Sequence, residues 1–410
     1  MTVRRDFSFP VLALCFLLSG FAALVYQTAW TREFAFVFGT SELAVATVLA
    51  AYMAGLASGA ALAGRFAPRV ARPVLAYGLL ELGVALSALA VPYLVRGASA
   101  LLLAAFGGQP GLPDARAGAI SLFYFASSFA IVMIPTLFMG ATLPLLARHA
   151  VRSDAELGPR IAWLYAINTA GAVAGTLCTA FVLLDGLGLR GTVFVAVALN
   201  ALVFAVAALL ARIAPLAAPA AASAAAARGP RWVLPLIALS GVVSFSYEVL
   251  WTRLLSHRLG ASVYAFATML GSFLLGIALG SALASRLAKT AERAAGGFAF
   301  AQLGIAALSL LAFAAADRLP LALGENVALL PNAGAAFALL LPAALCIGAT
   351  YPLAVRIHAG GADDASSASA RVYAWNTAGS IAGALGAAYW ALPALGFVGV
   401  VKACAAISLG

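Results

Sequence analysis

The stretch YQTAWTREF at residues 26–34 returns 221 residues later as YEVLWTRLL at residues 247–255. Both copies lie inside long apolar runs, where an acid, an amide or an arginine is expensive and therefore informative. The match extends outward at the same offset, GLASGAALAGRFA (55–67) pairing with GIALGSALASRLA (276–288). Two further pairs sit 208 residues apart: MGATLPLLAR (139–148) with IGATYPLAVR (347–356), and YAINTAGAVAG (165–175) with YAWNTAGSIAG (373–383). A chain that repeats itself over this length reads as a duplicated bundle.

Composition names the solvent. Of 410 residues, 64% are hydrophobic and 9% charged, with a mean hydropathy of +1.04. A soluble chain of this size needs a charged surface that these residues cannot cover. Apolar runs long enough to cross a bilayer recur along the whole length, which predicts an all-α polytopic membrane protein. Candidate spans fall at 10–38, 43–64, 73–95, 119–147, 160–184, 189–211, 233–259, 263–284, 297–315, 334–355, 371–392 and 396–410, twelve in all. The opening MTVRRDFSFPVLALCFLLSGFAALVY resembles a signal peptide but has no convincing small-x-small cleavage site, so it is read as the first span.

With the N-terminus in the cytoplasm, sixteen Lys and Arg residues fall on the cytoplasmic side and seven on the other. That asymmetry predicts a multi-pass protein of the bacterial inner membrane with its N-terminus inside. The net charge of +10 is thus accounted for by topology and does not call for nucleic acid. The lipid bilayer is the expected partner. Cys15, Cys178, Cys346 and Cys404 lie in separate apolar segments without metal-type spacing and read as inert buried thiols.

The Ala/Pro-rich segment 213–231 reads as a cytoplasmic linker between a six-helix repeat at 1–212 and another at 232–410. Six spans per repeat is even, so both repeats enter from the same side. That implies parallel repeats about an axis along the membrane normal, a major-facilitator-like arrangement. The last helix looks short: Gly410 corresponds to Leu202, while the sixth span continues to about Ala211, so a truncated chain is expected. The pairs Gly55/Gly59, Gly276/Gly280, Gly171/Gly175 and Gly379/Gly383 have the small-xxx-small spacing of close helix contacts.

Candidate ligand residues come from the polar positions. Tyr26 and Trp30, like Tyr247 and Trp251, stand four apart and share a helix face. Gln27 and Glu248 count into the outer half of the bilayer, whereas Arg32 and Arg253 come near its outer surface. An aromatic belt with snorkelling arginines explains Trp and Arg but not the depth of Glu248. A second pair, Glu81 and Gln302, repeats the acid–amide combination with the halves exchanged. Two inward carboxylates among Tyr and Trp would suit an organic cation; the alternative is internal ion pairing, such as Glu248 with Arg32 or Arg253. Asn168 and Asn376, in matching YAxNTAG motifs, either bond across helices or line a cavity.

GLGLRG (186–191) matches a dinucleotide fingerprint letter for letter, but no acid follows in TVFVAVALNALVFAVAALL and the second repeat has ALGFVG there. It reads as a Gly-rich turn between spans. No cofactor, catalytic residue or metal site is expected; His149, His257 and His358 lie near span ends without shared spacing.

Taken together, the four repeated motifs resemble the membrane portion of bacterial fused MFS-like/spermidine synthase proteins, over nearly all of the chain. That resemblance implies a polyamine-like ligand and a cytoplasmic aminopropyltransferase-type domain after the C-terminus. The synthase's Gly-rich loop and catalytic Asp have no counterpart here, so whether the protein takes part in an enzyme stays open. GAALAGRFAPR and GSALASRLAKT also depart from the major-facilitator loop signature, having no Asp. Three readings remain: a carrier or binder of a small organic cation, the membrane half of an aminopropyl-transfer enzyme, and a structural membrane subunit.

Overall fold

The structure is a computed structural model that describes residues 8–38, 42–106, 114–213, 229–259, 263–316 and 329–410. Twelve α-helices follow one another: α1 (Ser8–Phe38), α2 (Glu42–Phe66), α3 (Pro73–Phe106), α4 (Asp114–Ala150), α5 (Asp154–Cys178), α6 (Leu184–Ile213), α7 (Val233–Leu259), α8 (Val263–Ala284), α9 (Ala291–Ala316), α10 (Leu329–His358), α11 (Ala365–Gly386) and α12 (Leu392–Leu409). Most of the expected linker, residues 214–228, lies outside the described residues.

Among the described residues, ten continuous helical stretches are long and apolar enough to cross a membrane, and two of them hold two crossings each. These are Asp154–Ile213 and Ala362–Leu409, 60 and 48 residues long, far more than one bilayer needs. Each passes through a π-helical turn, Thr179–Leu183 or Ala387–Ala391, and breaks at Gly188 or Gly396, both at φ 64° and ψ −179°. That backbone geometry is strained for any residue with a Cβ. The space around both glycines is open, so the turn itself, not packing, demands them. The third residue of GLGLRG, Gly188, makes the break, so the motif is a helix-to-helix turn, and Thr192 donates to the Gly188 carbonyl at 2.7 Å. α3 runs eleven residues past its expected end because GASALLLAAF continues the apolar helix beyond Pro92.

Backbone approach between helices repeats at the two sequence offsets. A Cβ on Gly171 or Gly175 of α5 would collide with the Leu17 or Phe21 carbonyl of α1. On Gly379 or Gly383 of α11 it would meet Ala238 or Val242 of α7, the residues 221 positions further on. Likewise Gly59 lies on Leu137, and Gly280 on Leu345. Without water between helices, close packing of this kind is what holds them together.

α1–α6 and α7–α12 join most extensively at the membrane face where α1 begins. One apolar core there draws on both halves, with Leu12, Leu146, Leu157 and Ile161 meeting Ile237, Ala288, Tyr351 and Val372. Ser281 donates to the Ala162 carbonyl at 2.9 Å, Ser367 to that of Gly64 at 3.0 Å, and the Ala362 amide to Asp154 at 2.6 Å. Residues 154 and 362 are repeat mates, so their contact marks the pseudo-twofold axis. Beside it Arg371 grips Asp364 at 2.8 and 3.0 Å and donates to His358 Nε2 at 2.8 Å. A guanidinium only donates, so Nδ1 of His358 carries the ring proton to the Pro230 carbonyl, 3.1 Å away. Nearer the opposite face each half keeps its own apolar core, and Tyr264 of α8 reaches Asp185 at 2.7 Å while its ring meets Phe181.

Candidate functional site

The two acids flagged in the sequence have different surroundings. Glu81, on α3, is fully enclosed. Its Oε2 accepts from Asn200 of α6 at 2.5 Å, and Asn200 Oδ1 accepts in turn from the Tyr26 hydroxyl of α1 at 2.9 Å. Ser19 and Tyr77 lie against the same carboxyl, although Oε1 and the Tyr77 hydroxyl complete no well-formed hydrogen bond among the described residues. Tyr26 stacks on Trp30, ring centroids 5.0 Å apart at 17°. The whole chain of contacts, Glu81–Asn200–Tyr26–Trp30, stays inside the N-terminal half among α1, α3 and α6.

Glu248 is 7% exposed, and among the described residues its carboxylate makes no hydrogen bond or ion pair, so the pairing with Arg32 or Arg253 is not formed. Its orientation follows from helix geometry. Leu24 of α1 packs across the midline against the C-terminal half's core. Gln27, three residues on, shares that face; in the other repeat Phe245 and Glu248 hold the equivalent places. Leu24 thus turns the Gln27 side of α1 toward the C-terminal half, and Glu248 is its repeat mate on α7. One turn further, Thr31 and Thr252 donate to the backbone carbonyls of Gln27 and Glu248, both at 2.7 Å, and Thr252 approaches Met269 Sδ at 3.9 Å.

The aromatic residues do not form a single box. Tyr247 and Trp251 belong to the C-terminal core, with the Tyr247 hydroxyl 3.4 Å from the Val401 carbonyl. Tyr26 and Trp30 belong to the N-terminal core. The expected pair of inward carboxylates is likewise divided, since Glu81 is bound by Asn200 of α6 and Glu248 has no such bond among the described residues. Gln302, the mate of Glu81, is partly buried with Oε1 unpartnered among the described residues. Asn168 donates to the Phe16 carbonyl at 3.0 Å and so ties α5 to α1. Asn376 lies where Gly241 of α7 crosses α11, and its carbonyl accepts from Ser380 at 2.9 Å. Arg32 is exposed near the Tyr264–Asp185 contact, and Arg253 is partly exposed on α7.

Several residues of the midline escaped the sequence reading. Tyr165, Tyr351 and Tyr373 gather near the face that the shared core closes, where α1 begins, with ring centroids 4.6 and 6.0 Å from the central Tyr351. Tyr165 and Tyr373 stand inside the motifs noted for Asn168 and Asn376, and Tyr351 inside the repeated IGATYPLAVR. Asn200 had a signal too, as the one polar side chain in ALNALVFAVAALL. Among the described residues no three of His, Cys, Asp or Glu converge as a metal set would.

Comparison with known proteins places the fold. The chain superposes on a bacterial homologue of the iron transporter ferroportin in an outward-facing state, with a TM-score of 0.63 at 14% identity, covering 98% of this chain and 95% of that one. It is similarly like the Major Facilitator Superfamily transporter FucP in the outward conformation, at 0.60 and 15%, covering 98% and 97%. A second FucP structure, described as the E. coli fucose:proton symporter, gives 0.57 at 15%, covering 99% and 98%. No family model and no curated protein matches the sequence. The fold is polytopic and major-facilitator-like.

Proposed function

We propose that this protein is a transporter that carries a small, polyamine-like organic cation across the bacterial inner membrane, with Glu248 as the counter-charge. The observation behind this reading is the unpartnered carboxylate itself. A buried acid is costly unless something compensates it, and Glu248 is buried on α7 in the place that Gln27 holds on α1. A cationic ligand would supply the missing partner, and Gln27 would accept or donate a hydrogen bond to its body. The Arg distribution favours a cytoplasmic N-terminus, so the tightly joined face is taken as the cytoplasmic one.

The related folds carry other cargo: one is a homologue of an iron transporter and the other is a fucose:proton symporter. A hard divalent ion wants several oxygen or imidazole donors at once. One carboxylate and one amide fit an organic cation better. The resemblance of the repeated motifs to fused MFS/spermidine synthase proteins adds support for a polyamine.

The test is uptake of radiolabelled spermidine into proteoliposomes. Removing a charge-assisted contact worth about 1.5–3 kcal/mol should weaken saturable uptake by about tenfold or more in Glu248→Gln. Equal uptake by wild type and variant, or none by wild type, would overturn the reading.

A further inference from the structure

Tyr165 and Tyr373 begin the two YAxNTAG motifs and are repeat mates. Trp163 and Trp375, two residues before and after them, are 47% and 46% exposed on the lipid side. Two residues along an α-helix is a rotation of about 200°, so both tyrosines point away from lipid. Each is partly exposed and packs against the apolar core that the two halves share. Tyr351 of α10 sits between them, tilted against Tyr165 and edge-on to Tyr373 at 90°.

A fourth tyrosine lies above. Tyr52 of α2 is buried, and its hydroxyl donates to the Ala23 carbonyl at 3.2 Å. Ala23 is one turn of α1 below Gln27. Down from the Glu248–Gln27 level the midline thus passes Tyr52 and then the triad, with Tyr52 and Tyr165 coming from one half and Tyr351 and Tyr373 from the other.

A plug that only excluded water would be served by aliphatic side chains, and the other repeat has one: Leu143 holds the position of Tyr351. The tyrosines bring two things that leucine does not. Their ring faces carry negative π density, which attracts cations most strongly where water is absent. Their hydroxyls are held by the protein, that of Tyr351 at 2.7 Å from Ser369 Oγ, which fixes the ring planes.

We propose that Tyr52, Tyr165, Tyr351 and Tyr373 form a second, charge-free binding station for the organic cation, between Glu248 and the closed face. The station rests on the organic-cation reading given above. Its rings hold a cation more loosely than a carboxylate does, so the cargo moves from a tight contact to a loose one before release. Because Tyr165 and Tyr373 belong to different halves, separating the halves at this face dismantles the station and frees the cation in one motion.

The test replaces Tyr165 by Phe, by mono-, di- and trifluorinated phenylalanine, and by Leu, in the full chain, and repeats the Phe and Leu changes at Tyr373. Fluorination drains ring π density with little change of shape, so folding is preserved across the series. Spermidine uptake into proteoliposomes should stay near wild type for Phe, fall stepwise with fluorination and drop about tenfold for trifluorinated Phe. Spermidine-induced thermal stabilisation in detergent, which reports the Glu248 contact, should be unchanged throughout. A flat fluorination series, or Leu variants that transport at the wild-type rate, would overturn the station while leaving Glu248 in place. A wild type showing neither uptake nor stabilisation by spermidine would overturn both.

Discussion

Glu81 and Glu248 are acids enclosed in corresponding halves of one duplicated bundle, yet one is bound into the scaffold and the other is not. Glu81 on α3 accepts from Asn200, which also holds Tyr26, so three helices meet at its carboxyl. Glu248 on α7 has burial without a partner among the described residues. Their repeat mates, Gln302 and Gln27, have the same shape without the charge. Duplication thus supplied two equivalent frames, and a change of one atom at each of two positions separated a structural acid from an available one. Depth and residue type do not distinguish such acids; the neighbouring side chains do.

The likeness of the two frames is most severely tested at the helix crossings. Gly171→Leu and Gly379→Leu should each destabilise by about 3 kcal/mol or more, because the new side chain runs into the backbone of α1 or α7. Both should lose most of the monodisperse protein recovered in detergent, and to a similar degree. One tolerated and one lethal substitution would mean the halves are not packed alike.

The contrast between the acids gives the next largest effect. Asn200→Ala strips Glu81 of its donor and Tyr26 of its acceptor, and Glu81→Ala orphans Asn200. Each should cost about 1–3 kcal/mol and lower Tm by several degrees in a thermal melt. Glu248→Gln should leave Tm unchanged or raise it, since it removes an uncompensated buried carboxylate. A stability loss in Glu248→Gln equal to that in Glu81→Ala would erase the distinction between them.

The smallest expected effect is at the turns. Gly188→Ala and Gly396→Ala force a Cβ into a positive-φ conformation and should each cost about 1–2 kcal/mol, read as matched Tm shifts. Since the space around both is open, larger losses would show that these turns touch something more.

Much of the fold was legible before any coordinates. Twelve spans, the equivalence of the two sets of six and the glycines at the crossings all follow from motifs whose offsets are constant. The reading of GLGLRG as a turn holds because its repeat mate ALGFVG loses the first glycine yet keeps the one whose φ is positive. Less of the site was legible. Glu81 and Glu248 look alike as polar letters in apolar runs, and the box of two acids and four aromatics expected from them does not form. Tyr165 and Tyr373 were in view from the start but were read for the asparagines that follow them.

Sequence alone determined the solvent, the helical class, the duplication and the short list of costly residues, because hydrophobicity and period are local properties of the chain. Only the tertiary structure decided which of those residues meet. Asn200 stands 119 positions from Glu81 and 174 from Tyr26, and Tyr165 is 186 from Tyr351. Such contacts depend on how helices rotate and cross. Those angles are set by many glycine and alanine contacts acting together, which no single stretch of residues encodes.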